Sequence, residues 1–469
     1  MKTLSVATKF AYGLGQIAEG IKSRGFDYIV FFYFTQVLGL SGALAGMAVA
    51  IALIFDAVTD PVAGHVSDNW KSRLGRRHPF MYAAALPLAL FWYLLFFPPD
   101  GLGQAGLFAW FLVFAVLVRG SMTIYHVPHM ALGAELSDDY AERTSVVQWR
   151  TFAGMLGALV VIGLGIWLFF PETPEFSNGL LNPKGYPAFA TFSATIMFIT
   201  IWYSAWGTRK EIPHLPGPPE DSQPFSLRAT YAEFLLAWRN PSFRSLFAGF
   251  SLFAISISIG NTLGTHLNVF FWGFSTGQIS TLIAPTAVGF VIGVVASGAL
   301  HQRFDKKPTL ITACIVSGVL GNFAVVGRMA EIMPPTGSAL LFETIFGLLF
   351  VIGAAAGVAY TSAGSMMADV AQDQFNRTGR NQQGILFAAV AFSGKLGSAG
   401  GHFLAGVGID LIAFPLQADP VNIAPELIRR LGLLSLVAAP IAAAGIWAYT
   451  SYKIDRVSYE ASMRALQKP

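Results

Sequence analysis

Long apolar runs alternate with short polar joints along the whole chain. Twelve of these runs hold about 20 residues or more, enough for a helix to cross a hydrocarbon layer. They cover 8–38, 42–66, 79–98, 105–134, 147–170, 187–206, 244–272, 276–301, 308–328, 336–367, 382–412 and 428–452. The pattern predicts an all-α membrane protein with twelve transmembrane helices. The rhythm breaks once, where Thr208 to Phe243 is long and polar and its PHLPGPPEDSQP stretch reads as a linker. Within it, Phe225 to Trp238 predicts an amphipathic helix. Tyr231, Phe234, Leu235 and Trp238 share one side, for the inner membrane surface, and the helix stops at Asn240-Pro241. The chain thus divides into six spans (1–207), a linker (208–243) and six spans (244–469).

The two sets of six echo each other. Gly64 and its basic joint match Gly298 and the His301 to Lys307 joint. Ala134-Glu135 with Arg143 matches Ala368-Asp369 with Arg377. Both offsets are 234 residues. A parallel repeat of six helices is the plan of major facilitator transporters, with substrate near the midplane between the repeats.

Composition agrees. The chain is 54% hydrophobic and 12% charged, against about a quarter charged for a soluble domain. Cys314 is the single cysteine, so no internal disulfide forms. The net charge of +4 does not imply nucleic acid. Basic residues gather in alternate joints, at Lys71 to Arg77, Arg209 to Arg244 and Arg303 to Lys307. The intervening joints hold Lys184, Arg328, Arg429 and Arg430. The positive-inside rule then places both termini in the cytoplasm and the chain in the cell (inner) membrane. The N-terminus reads as an uncleaved first span. No P-loop and no nucleophile–base arrangement stands out, so neither ATP-driven transport nor an enzyme or cofactor is expected.

The chemistry concentrates in Ile51 to Pro79. Asp56 and Asp60, four residues apart, share one face of an apolar helix, and Pro61 follows. A carboxylate inside a bilayer costs roughly 2.5–3.5 kcal/mol, so such groups face a cavity, a cation or a base. The first span carries Glu19, Lys22, Arg24 and Asp27. They suit either a polar substrate or an internally neutralised patch, and Arg24 is the best placed to touch substrate through its bidentate guanidinium. Arg119 predicts a structural ion pair. Asn261, Thr265, His266 and Asn268 put a polar stripe on the seventh span, for substrate or for helix contacts.

The stretch DAVTDPVAGHVSDNWKSRLGRRHP resembles the second-helix signature of the glycoside–pentoside–hexuronide:cation symporters, the melibiose-permease-like branch of the major facilitator superfamily. Tyr12 to Gly15, Val127-Pro128 through Leu132, Glu142-Arg143 with Arg150, and Ala368-Asp369 through Lys395-Leu396-Gly397 resemble further family motifs in the same order. The resemblance implies a secondary transporter, a monomer in the bilayer, that couples a sodium ion or proton to a small sugar or glycoside. Its cation site falls on Asp56, Asp60, Thr123 and Lys395. Two carboxylates against one ammonium leave a charge of −1 for a cation to cancel. The aspartates would ligate sodium, whereas a proton would occupy one of them.

The family's two sugar-holding aspartates fall on Gly20 and His126, and an aromatic platform falls on Met130, so that acidic pair is absent here. His126 to Pro128 also resembles the lysophospholipid-carrying animal relatives, and an amphipathic substrate such as a lysophospholipid is the alternative cargo. Candidate substrate residues are Glu19, Gly20, Lys22, Arg24, Tyr125, His126, Met130, Arg150, His266 and Lys395. Candidate gating residues at the basic ends are Arg73, Arg77, Glu135, Asp138, Glu142, Arg143 and Asp369.

Overall fold

The structure is a computed structural model that describes residues 4–217, 227–379 and 382–455. Among the described residues it is built of helices alone. Eleven are long and apolar enough to cross a membrane. They are α2 (Gly42–Asp68), α3 (His78–Leu95), α4 (Gln104–Glu135), α5 (Glu142–Phe169), α6 (Gly185–His214), α7 (Pro241–Phe271), α8 (Thr276–Phe304), α9 (Lys306–Met329), α10 (Ala339–Thr378), α11 (Gln383–Leu411) and α12 (Pro425–Thr450). The first run, α1 (6–37), completes the twelve. Glu19, Lys22, Arg24 and Asp27 make it less apolar than the others. It is also segmented, as Val6–Leu14 and Gln16–Arg24 followed by wide π turns at Gly25–Val30 and Tyr33–Val37.

Local chemistry sets the ends. Asp139 accepts from the Glu142 backbone N–H, Asn240 from those of Ser242 and Phe243, and Ser275 with Gln278 forms a capping box at α8. α10 runs well past its apolar stretch through polar residues, and stops where Gly379 adopts φ 68°. α12 breaks between Ser435 and Ala438, where Pro440 has no N–H to offer the preceding turn.

The linker helix is observed at Leu227–Trp238. Phe225, the prolines and acids at 218–226, and Arg380 lie outside the described residues, as does the side chain of Tyr231. Phe234 and Trp238 pack on Phe243 and Phe247 of α7, so α7 itself covers part of the apolar side, while Leu235 stays exposed.

α2 and α11 lie backbone to backbone across the two halves of the chain. A Cβ on Gly46 would stand 2.5 Å from the His402 carbonyl oxygen, and one on Gly406 2.1 Å from that of Gly42. At the end away from the basic joints the halves are tied together. Asp410 accepts from the Ser41 hydroxyl (2.7 Å) and from the N–H groups of Gly42 (2.8 Å) and Ala43 (2.9 Å). Asn178 donates to the Phe274 carbonyl (3.0 Å), and Gln417 to that of Val37 (2.9 Å). One apolar core runs through both halves there, while a second core around Met366, Leu246 and Leu310 belongs to the second half and the linker helix.

Candidate functional site

The carboxylates of α2 meet three side chains. Thr123 of α4 stands between them, with Oγ1 2.7 Å from Oδ1 of Asp56 and 2.9 Å from Oδ1 of Asp60. A hydroxyl has one hydrogen, so it donates to one and leaves a lone pair beside the other. Lys395 of α11 crosses from the second half. Its Nζ is 3.0 Å from Oδ2 of Asp56 and 2.5 Å from Oδ2 of Asp60. All four residues that the family resemblance assigns to the cation are therefore in one place.

Arg119 joins them. Its guanidinium lies 3.6 Å from Oδ2 of Asp56 and 4.6 Å above the Phe26 ring. This changes the expected charge. Two carboxylates face two cations, so the constellation is balanced and does not hold the spare −1. Asp56 is buried, with 8% of its side chain exposed against 34% for Asp60, so Asp60 is the more accessible of the two. Among the described residues, no three or more His, Cys, Asp or Glu gather as a metal cluster. An ion here would rely on two carboxylates and a hydroxyl.

A cavity of about 680 Å³ opens between the halves. The first half gives it polar groups, including Gln16, Glu19, Arg24, Tyr28 and Arg150. The second half gives a mainly apolar wall, including Phe253, Ile257, Phe290 and Ile352. Glu19 accepts from Ser23 (2.6 Å) and pairs with Lys22 (2.9 Å), and Tyr28 donates to Asn261 across the gap (3.1 Å).

Of the candidate substrate residues, Glu19, Gly20, Arg24 and Arg150 line this cavity. Gly20 also packs on α5, where a Cβ would stand 2.3 Å from the Gly154 carbonyl oxygen. An aspartate has no room at that position, which accounts for glycine there. Met130 is a neighbour of the site, with Sδ 2.7 Å from Nη1 of Arg150. Lys22 is buried behind Glu19, and His126 is off the lining. Tyr125 and His266 also lie off this lining. Tyr125 is fully buried against Gly15 and His129. His266 is fully buried among Phe31, Phe32, Phe270 and Phe414, near Thr35.

The basic ends carry paired networks. Arg77 donates to Glu135 through Nη2 (2.6 Å) and to Ser67 (2.7 Å), and also pairs with Asp68 (2.5 Å), while Arg76 joins at Glu135 (2.8 Å). The second half repeats this with Lys306 on Asp369 (2.6 Å). Lys9 pairs with Glu142 (2.6 Å). Arg143 and Asp138 meet at 3.4 Å on the surface, and Arg73 is exposed. Each of these pairs stays within one half. Arg76, Lys306 and Lys9 were missed as network members. For Lys306 the 234-residue echo of Glu135 at Asp369 was the available signal.

Comparison with known proteins agrees with this architecture. The family model described as MFS/sugar transport protein matches residues 11–456. The inner membrane symporter YicJ of Escherichia coli (strain K12) is 24% identical over 411 residues, covering 86% of this chain and 82% of that protein. The sphingosine-1-phosphate transporter MFSD2B of Mus musculus is 23% identical over 410 residues, covering 85% and 79%. The crystal structure of a bacterial homologue of the iron transporter ferroportin, in its inward-facing state, superposes with a TM-score of 0.67. It covers 96% of this chain and 100% of that one at 14% identity, a likeness of fold alone.

Proposed function

The chain belongs to the MFS/sugar transport protein family, a multi-pass membrane transporter and not an enzyme, and from that premise we propose that it couples a monovalent cation to the uptake of a small sugar or glycoside. One observation carries the reading. Lys395, from the second half, binds the two carboxylates of the first half that Thr123 also touches. A cation at Asp56, Asp60 and Thr123 competes with the ammonium for the same oxygens. Its entry therefore releases Lys395 toward the space between the halves. Substrate that holds Lys395 away favours the cation, and cation favours substrate, as reciprocal coupling requires. Sodium does this by ligation and a proton by neutralising Asp60.

The halves then rock about the shared cavity. The ties at Asp410, Asn178 and Gln417 close one end, and the networks at Glu135 and Asp369 belong to the other, which the basic joints assign to the cytoplasm. Both termini then lie in the cytoplasm, and the unit is a monomer in the bilayer with six spans on each side of the linker.

The apolar wall of Phe253, Ile257, Phe290 and Ile352 favours a second reading, in which the cargo is amphipathic, as the name of the sphingosine-1-phosphate relative suggests. Uptake into proteoliposomes separates the two. A glycoside accumulates under a sodium or proton gradient in wild type and not in Asp56→Asn. Competition by a lysophospholipid and none by sugars selects the second cargo. Full gradient-driven uptake by Asp56→Asn removes the cation assignment.

A further inference from the structure

α11 makes a second polar contact with the first half. Lys395 and His402 are seven residues apart, two helical turns, and so share one face. Lys395 reaches α2. His402 reaches α1, where its Nε2 lies 3.8 Å from Oδ1 of Asp27. The ring is 1% exposed.

The surroundings fix which ring nitrogen carries hydrogen. Nδ1 is 2.9 Å from the Ser398 carbonyl oxygen and 2.8 Å from the Ser258 hydroxyl, which itself donates to that carbonyl (2.9 Å). A carbonyl oxygen only accepts, so Nδ1 is the donor. Nε2 then meets the carboxylate either as a lone pair against a lone pair, which is repulsive, or as N–H, which makes an ion pair. Asp27 is already held on its other side, with Oδ2 3.2 Å from Nη1 of Arg24. Arg24 is also part of the cavity wall. The charged groups acting on the ring are Asp27 from α1 and Arg119 from α4, and Arg24 acts through its pair with Asp27. α2 meets His402 at its backbone through Gly46, and Ser258 of α7, which touches the ring, carries no charge. Asp27 also sits in the π turn Gly25–Val30, a distortion that recurs at functional sites.

We propose that Asp27 and His402 form a second proton site, separate from Asp56 and Asp60, whose occupancy is set by Arg24. A proton from solvent bonds to the Nε2 lone pair, turning neutral imidazole into imidazolium, and no other bond changes. While Arg24 holds Asp27, part of the carboxylate charge is spent on the guanidinium. A substrate oxygen that draws Arg24 into the cavity frees Asp27 to hold the imidazolium more tightly. Departure of substrate returns Arg24 to Asp27 and weakens the hold on the proton. This link to substrate rests on the transport reading, whereas the proton site itself does not.

The test is imidazole nitrogen NMR of the full-length purified protein with labelled histidine, without substrate or gradient. H402Q identifies the signal. If H402Q does not fold, the signal is the one among the eight histidines that D27N moves. On acidification the wild-type His402 ring comes to carry hydrogen on both nitrogens. In D27N, at a pH where the wild-type ring is doubly protonated, it is neutral with hydrogen on Nδ1. In R24Q the doubly protonated form persists to a proton concentration about tenfold lower than in wild type. A ring that is neutral in wild type from about pH 5 upward, or titrations of wild type and D27N that superimpose, overturn the site. An R24Q curve equal to wild type overturns its control by Arg24. Because transport is not measured, either failure leaves the uptake experiment to judge the coupling reading separately.

Discussion

The ammonium of Lys395 on α11 lies 2.5 Å from Oδ2 of Asp60 on α2, across the seam between the halves of the chain. The same Nζ is 3.0 Å from Asp56. One side chain therefore joins the halves at the group proposed to bind the cation. Lys395→Gln should leave a folded protein that still binds substrate but no longer responds to cation. Substrate affinity measured with and without a saturating gradient ion should differ several-fold in wild type and not at all in the variant. An undiminished response in Lys395→Gln would show that the bridge is structural.

Thr123 stands between the two carboxylates, and its loss removes one hard oxygen and one charge-assisted hydrogen bond. Such a bond contributes about 1.5 kcal/mol or somewhat more, so Thr123→Ala should weaken cation affinity roughly tenfold. Thr123→Ser keeps the hydroxyl and should stay within about threefold of wild type, since only a methyl group is lost. Cation titrations of the two variants check this, and equal losses in both would point to packing in place of ligation.

Arg119 balances the charge at Asp56 and stacks on Phe26. Breaking a buried ion pair costs about 3 kcal/mol, less where other partners remain, as Lys395 and Thr123 do here. Arg119→Gln should melt at a lower temperature than wild type. It should also recover more of that loss on adding the coupling ion, because its site carries −1 where the wild-type site is balanced. Thermal unfolding with and without ion measures both. A melting temperature that the ion leaves unchanged in the variant would contradict this charge account.

The close approach of α2 and α11 depends on missing side chains. A Cβ at Gly406 would stand 2.1 Å from the Gly42 carbonyl oxygen. Gly406→Val should force the helices apart, loosen the neighbouring Asp410 ties and shift the protein away from the arrangement seen here. A cysteine placed at Ser41 should then react faster with an aqueous thiol reagent than the same cysteine beside Gly406. Equal rates would mean that the contact does not set the conformation.

Much of this was legible in the chain. Asp56 and Asp60 announced themselves as two carboxylates on one face of an apolar run, and the twelve spans followed from length alone. Thr123 and Lys395 were reached only through the family motifs, because nothing local ties α4 or α11 to α2. Arg119 read as an ion pair, but which carboxylate it meets depends on how α4 is rotated against α2. His266 lies off the cavity lining for the same kind of reason. It is five residues beyond Asn261, so a regular helix points it about 140° away from the cavity that Asn261 lines, into the aromatic cluster of α1. Tyr125 likewise turns toward Gly15 and His129 and away from the cavity. The π turns of α1, which set the direction of Asp27, leave no mark in hydrophobic periodicity.

The most direct test is calorimetry of substrate-free protein, titrated with sodium at two pH values, comparing wild type with Asp60→Asn. The account predicts a saturable sodium signal in wild type that is lost in the variant. If the coupling ion is a proton, it predicts instead a pH-dependent proton exchange on adding substrate, lost in the same variant. A sodium or proton signal of equal size in Asp60→Asn would contradict the assignment of the cation to this carboxylate pair.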